Sequence, residues 1–304
     1  MGKVQENRNM KRKAFTVTEL LVVITLIMLL SGMSWGALHS ARQTGCEAAT
    51  RATIAKLHSI VMERYESYYT RRIPVSIIPC PGQWLDGTPL TDAERRQWMQ
   101  SNHWKRLRCI RDIIRMEMPD AKSDIDNGPI AFQFDGVWHD PQPDYSVSEP
   151  ALHLLYKSNP PTATHDPAQC LFLFVSMACP EAMEQFRRDE IGMVDGKRVF
   201  IDGWGMPIKW LRWAPGYTSP IQSGVEATDH DQFDPRKIDA FAFRMIPLIY
   251  SATGKRKADG DPQYGIEVGT GAFTGNPYAN MDLGKIIAGE GGEGIITNHN
   301  IEQR

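Results

Sequence analysis

The chain has 304 residues, 42% of them hydrophobic, and a formal charge of −2 from 34 Lys and Arg against 36 Asp and Glu. That length suits one large domain or two modest ones, and a mean hydropathy of −0.36 with 23% charged residues excludes a multi-pass membrane protein. The supply of aromatic and aliphatic side chains excludes wholesale disorder, and the near-neutral balance argues against a generally basic nucleic-acid binder.

Residues 1–14 are polar and basic, with Lys3, Arg8, Lys11, Arg12 and Lys13 against Glu6. Residues 15–38 then run FTVTELLVVITLIMLLSGMSWGAL, which supplies about the 20 residues needed to cross a bilayer and holds one ionisable group, Glu19. Basic residues ahead of an apolar span predict a cytoplasmic N-terminal side, with the rest of the chain translocated. A cleaved secretory signal fits less well, because residues 31–37 make a poor small-residue cleavage site and a charge inside the apolar run is unusual. A carboxylate inside such a span costs a few kcal/mol unless it is paired or interfacial, so Glu19 is a candidate functional residue.

Lys13-Ala14-Phe15-Thr16-Val17-Thr18-Glu19-Leu20 resembles the processing signal of type IV pilins and of the pseudopilins of type II secretion. The family pattern is a basic leader, a small residue, then Phe-Thr-x-x-Glu-Leu and an apolar helix; Ala14 stands where Gly is usual. The resemblance implies that a prepilin peptidase cuts between Ala14 and Phe15 and that Phe15 is then N-methylated. It also implies that Glu19 acts in assembly, meeting the Phe15 ammonium of a neighbouring subunit. In a low-dielectric bundle such a pair relieves two buried charges at once.

Helical periodicity continues past the span, with Ile54, Leu57, Val61, Tyr65 and Tyr68 on one stripe and Arg51, Lys56, Glu63, Arg64 and Glu66 off it. One helix over about residues 15–69 would be roughly 80 Å long at 1.5 Å per residue. Gly32, Gly36 and Gly45 weaken its middle by about 1 kcal/mol each, for close helix packing or for a segment that extends on assembly.

Pro74, Pro79, Pro81 and Gly82 break the helix and open a head. Thr91-Asp92-Ala93-Glu94 is a capping box that starts an amphipathic helix with Trp104, Leu107, Ile110 and Ile114 on its apolar face. Its basic side, with Arg95, Arg96, Lys105, Arg106, Arg108, Arg111 and Arg115, reads as a solvated face rather than a surface for DNA or acidic lipid. Pro119 ends this helix. A short strand follows at 130–134, then a loop to about 167 with a short helix at 151–156. A buried helix is expected at 170–178, and after Pro180 an amphipathic helix ending near Arg188.

Two strands, at 197–201 and 208–213, flank Asp202-Gly203-Trp204-Gly205-Met206-Pro207, and residues 244–252 read as an edge strand ending in Ser251-x-x-Gly254. The pattern Asp202-x-Trp204-Gly205-x-Pro207, then a strand ending in Ser-x-x-Gly, resembles the head sheet of the major pseudopilin of type II secretion. The likeness spans residues 11–69 and 199–254. Residues 75–195 and the insert before Arg244 do not match it. Members of that family bind calcium in a loop after the last strands, where this chain has Asp259-Gly260-Asp261. Asp259 and Asp261 are therefore the candidate calcium ligands, although a solvated turn is the simpler reading.

No other site motif stands out. The five cysteines form no CxxC pair, with Cys170 and Cys179 able to bridge in an oxidising compartment. Residues 124–128 read as a turn, Asp229-His230-Asp231 as an exposed polar loop, and the Gly- and Glu-rich stretch opening 289–304 as a flexible tail.

The expected architecture is α+β: a leader at 1–14, a transmembrane helix at 15–38, a stalk helix at 39–72 and a head at 73–288. In it the long helix packs on a small antiparallel sheet, and large helical and loop insertions enlarge the head. The expected function is that of a non-enzymatic filament subunit needing no cofactor, calcium aside. Its partners would be further pilin or pseudopilin subunits, the prepilin peptidase, the membrane, and an inner-membrane assembly platform with its ATPase. Without the leader the chain keeps 29 basic against 35 acidic side chains, which argues further against nucleic acid as a partner. The competing class is a signal-anchored periplasmic enzyme or ligand-binding protein.

Overall fold

The computed structural model describes residues 16–74, 80, 82–83, 87–133, 145–162, 166–269, 272–289, 292 and 294–301. The chain divides into two compact units, residues 1–45 and 46–304. Helix α1, Val17–Ser67, runs from the first into the second. In the first unit its side chains are exposed, and its most apolar stretch has mean hydropathy 2.1 with none of it buried. Among the described residues it is the one helix long and apolar enough to cross a membrane. A Cβ built on Gly32, Gly36 or Gly45 meets nothing within 4 Å, so no packing among the described residues requires those glycines.

The second unit is α+β. The later part of α1 buries Ile54, Leu57, Ile60, Val61 and Tyr65 together with Tyr68 just beyond its end, on the three- and four-residue spacing that lines one helix face. Full burial of an aliphatic side chain of this kind contributes about 1.5–3 kcal/mol. This stripe shares one core with Ile110 and Ile114 of α2 (Asp92–Glu117), Phe174 of α5 (Asp166–Ala178), and Trp210, Ile249 and Ile296 of the sheet. The Phe174 and Trp210 rings stack at 5.4 Å. Two short helices lie between α2 and α5: α3, Lys122–Asp126, and α4, Ala151–Lys157.

Strands β1 (Ile191–Val194) and β2 (Lys197–Phe200) form an antiparallel hairpin. Its two-residue turn, Asp195-Gly196, has φ of +49° and +75°, the left-handed pair that matches strand twist. The second sheet is antiparallel in the order β3 (Lys209–Leu211), β4 (Leu248–Ser251), β5 (Ile296–Thr297).

The expected fold class stands, and several local expectations are corrected. β4 is not an edge strand: it is the middle of its sheet and buried throughout, because residues 296–297 pair with its far side. The supposed flexible tail therefore contains buried structure, with Ile295, Ile296, Thr297, Asn298 and His299 all inside. β2 and β3 belong to different sheets, joined only by the isolated bridge between Ile201 and Pro207.

Of the strand expected at 130–134, the described residues 130–133 hold a single bridge, Phe132 to Tyr145, and the segment after Pro180 is a 3-10 turn, Pro180–Gln185. Residues 124–126 belong to α3 rather than to a turn, since the Asp124 carboxylate is buried against Arg212. Cys170 and Cys179 are not bridged to each other, and burial pushes the thiols of Cys109, Cys170 and Cys179 upward, Cys109 to about 12.

Candidate functional site

Three sets of residues position the long helix and the head motif. The first is the start of α1. The Glu19 carboxylate accepts from the Thr16 backbone N–H at 2.9 Å and from the Thr16 hydroxyl at 2.8 Å, while the Glu19 N–H donates to Thr16 Oγ1 at 3.3 Å. This is a capping box, and it gives the Glu19 charge a partner inside its own helix. Ala14 and Phe15 lie outside the described residues.

The second set fixes the buried part of α1 on the rest of its unit. Glu190 Oε1 receives the Thr53 hydroxyl at 2.8 Å and Lys56 Nζ at 2.9 Å. Burial opposes the Glu190 charge, but the Arg187 N–H, Lys56 and Thr53 overcome it and hold the carboxyl below its ordinary value. Glu117, at the end of α2, accepts from Arg64 at 2.8 Å, Tyr68 at 2.7 Å and Arg71 at 2.5 Å. Burial again opposes the charge, and Arg71, Tyr68 and Arg64 reverse the balance. The Gly203 N–H donates to Thr50 Oγ1 at 2.9 Å, and a Cβ at Gly203 would stand 2.3 Å from the Cys46 carbonyl oxygen. Only glycine lets the loop approach the helix so closely. Asn298 completes the set: its amide donates to His58 Nδ1 at 2.9 Å and to the Pro247 carbonyl at 2.8 Å, and its oxygen accepts from the Ile249 N–H at 2.7 Å.

The third set is the head motif. Asp202 is buried, with Oδ1 accepting from the N–H groups of Trp204 (2.9 Å) and Met206 (2.8 Å) and Oδ2 accepting from the Ser251 hydroxyl at 2.5 Å. Gly205 holds φ of +78° in the turn that this carboxylate closes. Trp204 lies over Gly254, where a Cβ would come within 2.9 Å of the indole. The Pro207 carbonyl accepts from the buried Tyr264 hydroxyl at 2.7 Å. The four motif residues and Ser-x-x-Gly thus form one structural knot, Asp202 to Ser251 and Trp204 to Gly254.

Asp259 and Asp261, the candidate calcium ligands, lie in one turn after β4. Both are exposed, the Asp259 carboxylate accepts from the Asp261 N–H at 3.0 Å, and Arg256 occupies the Gly260 carbonyl at 2.7 Å. Two carboxylates beside Arg256 and Lys257 fall short of the six to eight oxygens calcium takes, and no group of three acidic, His or Cys side chains suited to a metal occurs among the described residues.

The basic side of α2 is only in part the solvated face expected of it: Arg95, Arg96 and Arg106 are exposed, whereas Lys105, Arg111 and Arg115 are buried. Arg111 is buried, pairing with Asp231 at 2.9 Å and Asp239 at 3.1 Å, which makes Asp231 a buried partner rather than part of an exposed loop. Arg115 is buried as well, binding Asp112 at 2.8 Å and the Gly128 carbonyl at 2.7 Å. Glu190, Glu117, Gly203 and Asn298 were not singled out by the sequence reading. The Gly203 position inside the motif was its one available signal.

The geometry thus defines an α+β unit built around the later turns of a long helix whose earlier turns are apolar and exposed. No family model matches the sequence, and comparisons with curated proteins and with solved structures give no significant match.

Proposed function

We propose that this chain is a structural subunit of a type IV pilin-like filament, of the kind that forms the type II secretion pseudopilus. The observation that carries the reading is the division of α1: one apolar, exposed stretch opened by Thr16 and Glu19, and one stripe committed to the core of the head. A helix so divided suits a subunit held in a bilayer by its first half and transferred into a helical bundle with its head still attached.

In this reading a prepilin peptidase removes residues 1–14, Phe15 becomes the methylated amino terminus, and Glu19 pairs with the Phe15 ammonium of a neighbouring subunit. The carboxylate then exchanges part of its Thr16 capping for that charge. The subunit sits in the inner membrane as a single-pass protein with its head in the periplasm. An assembly platform with its ATPase extracts it into the filament.

Intact mass spectrometry of the protein purified from its host tests the reading. The expected species lacks residues 1–14 and carries one added methyl group. A chain that keeps residues 1–14 in the membrane fraction would overturn it in favour of a signal-anchored enzyme or binding protein.

A further inference from the structure

A cleft of about 720 Å³ opens between the segment following α1, the middle of α2 and the 233–238 loop. This volume lies in the range of small-molecule pockets and far exceeds what one inorganic ion fills. Its walls carry Arg71, Arg72, His103, Lys105, Arg106 and Arg236, and its one acidic lining residue is Asp234. That carboxylate is buried and turned to its own loop, accepting from the Asp239 N–H at 2.8 Å beside His230 at 3.3 Å.

Two of the cations are committed elsewhere: Arg71 binds Glu117, and buried Lys105 lies over the Tyr145 ring at 5.0 Å. Arg72, Arg106 and Arg236 are exposed, and none has a carboxylate partner among the described residues. Arg236 instead donates to Nε2 of His103 at 2.6 Å, so a guanidinium faces a neutral imidazole. Burial, then Arg236, then Arg106 hold His103 below its ordinary value, against the weaker pull of Asp234. Several positive groups therefore share one concavity whose one acidic lining residue among those described, Asp234, is turned to its own loop.

Apart from Thr70 and Asn102 the rest of the lining is apolar, with Ile73, Met99, Leu107, Phe233 and Ile238 beside the guanidinium groups. A group with several acceptor oxygens and up to two negative charges matches guanidinium forks that no carboxylate occupies, and an apolar body matches the remaining wall.

We propose that this cleft binds a small phosphorylated ligand whose body is apolar or aromatic. Arg106 and Arg236 grip the phosphate, and the Ile73, Leu107 and Ile238 wall takes the body. The site is independent of the filament reading, since it uses neither the apolar part of α1 nor the head motif.

The test is calorimetric titration of the full chain in neutral detergent micelles with phenyl phosphate, and separately with monomeric dihexanoyl phosphatidate. Phenol and inorganic phosphate are the controls for body and charge. The expected result is binding of at least one phosphorylated probe, more tightly than inorganic phosphate and with phenol silent. R106Q combined with R236Q should weaken it by at least about tenfold, with the unfolding temperature unchanged. Tighter binding of phenyl phosphate would assign a soluble ligand, and of the phosphatidate a lipid headgroup; either supports the site. Histidine NMR of the unsubstituted chain supplies a readout independent of any variant, since saturation should raise the His103 pKa. Absence of binding by both probes, binding unaffected by the double substitution, or an unmoved His103 at saturation would each overturn the proposal.

Discussion

The Asp202 carboxylate accepts the Ser251 hydroxyl at 2.5 Å and so ties the loop before β3 to the last residue of β4. The same carboxylate holds the Trp204 and Met206 N–H groups, so its removal leaves three buried or half-buried donors without an acceptor. Asp202→Ala is expected to cost about 2–4 kcal/mol of stability, and Ser251→Ala about 1 kcal/mol. A double-mutant cycle by denaturant unfolding in neutral detergent should return a coupling of at least about 0.5 kcal/mol. Additive losses would show that the two residues act separately.

Gly203 sets how near the head loop comes to α1. Gly203→Ala forces a methyl to within 2.3 Å of the Cys46 carbonyl oxygen, which is backbone and cannot swing aside. The expected loss is about 1–3 kcal/mol. Gly205→Ala should also destabilise, by about 1 kcal/mol, but through its φ of +78° with no neighbour within 4 Å of the new Cβ. Proteolysis separates the two cases, with G203A exposing the segment around Cys46 to cleavage and G205A leaving it protected.

The carboxyl groups of Asp120 and Asp124 lie close together beside Arg212. Burial pushes Asp120 up to about 7, the Arg212 charge pulls it down, and the Asp124 charge adds to the rise. Because the folded state holds this proton more tightly than the unfolded chain, the stability gained is full below about pH 4 and is lost as pH rises through about 7. Asp120→Asn should therefore gain stability relative to the unsubstituted protein between pH 5 and pH 8. Denaturant midpoints for both proteins across that range check the sign, and parallel profiles would contradict it.

What the sequence revealed depended on how far apart the interacting residues lie along it. The Thr91 and Glu94 capping box, three positions apart, is where its pattern places it, and so is the buried stripe from Ile54 to Tyr68. Arg111 and Arg115 sit on the same helix in the same pattern as surface cations, but their surroundings come from Asp231, Asp239 and the 124–128 carbonyls. No local periodicity announces partners 120 positions away. β5 escaped notice because two residues beyond a Gly-rich stretch carry no alternation to read. Thr16 and Glu19 have the same capping spacing as Thr91 and Glu94, but a charge inside an apolar run has the same sequence signature whether it caps its own helix or pairs with another. In the head motif, the spacing of Asp202, Trp204 and Gly205 was legible, while its function of receiving Ser251 and Gly254 needed the fold.

The Thr16 and Glu19 pair allows helix capping and subunit pairing to be told apart. Thr16→Ala removes the hydroxyl cap and keeps the carboxylate, at an expected cost of about 1 kcal/mol to the first turn. Glu19→Ala removes the carboxylate and leaves the backbone N–H of residue 19 on the Thr16 hydroxyl. If Glu19 pairs between subunits, E19A should abolish incorporation into filaments in cells while T16A only reduces it. Equal incorporation of E19A and the unsubstituted chain would end the assembly role.

Asn298 bonds His58, Pro247 and Ile249 at once, across sequence separations of 240, 51 and 49 positions. Until residues 295–299 have emerged from the ribosome, β4 lacks one neighbour and α1 lacks this amide. In the filament-subunit reading, an α1 that enters a bilayer early in synthesis waits beside an unfinished head whose core still lacks Ile296. In that reading the chain needs a holding factor beside the emerging head, or synthesis fast enough to keep the interval short.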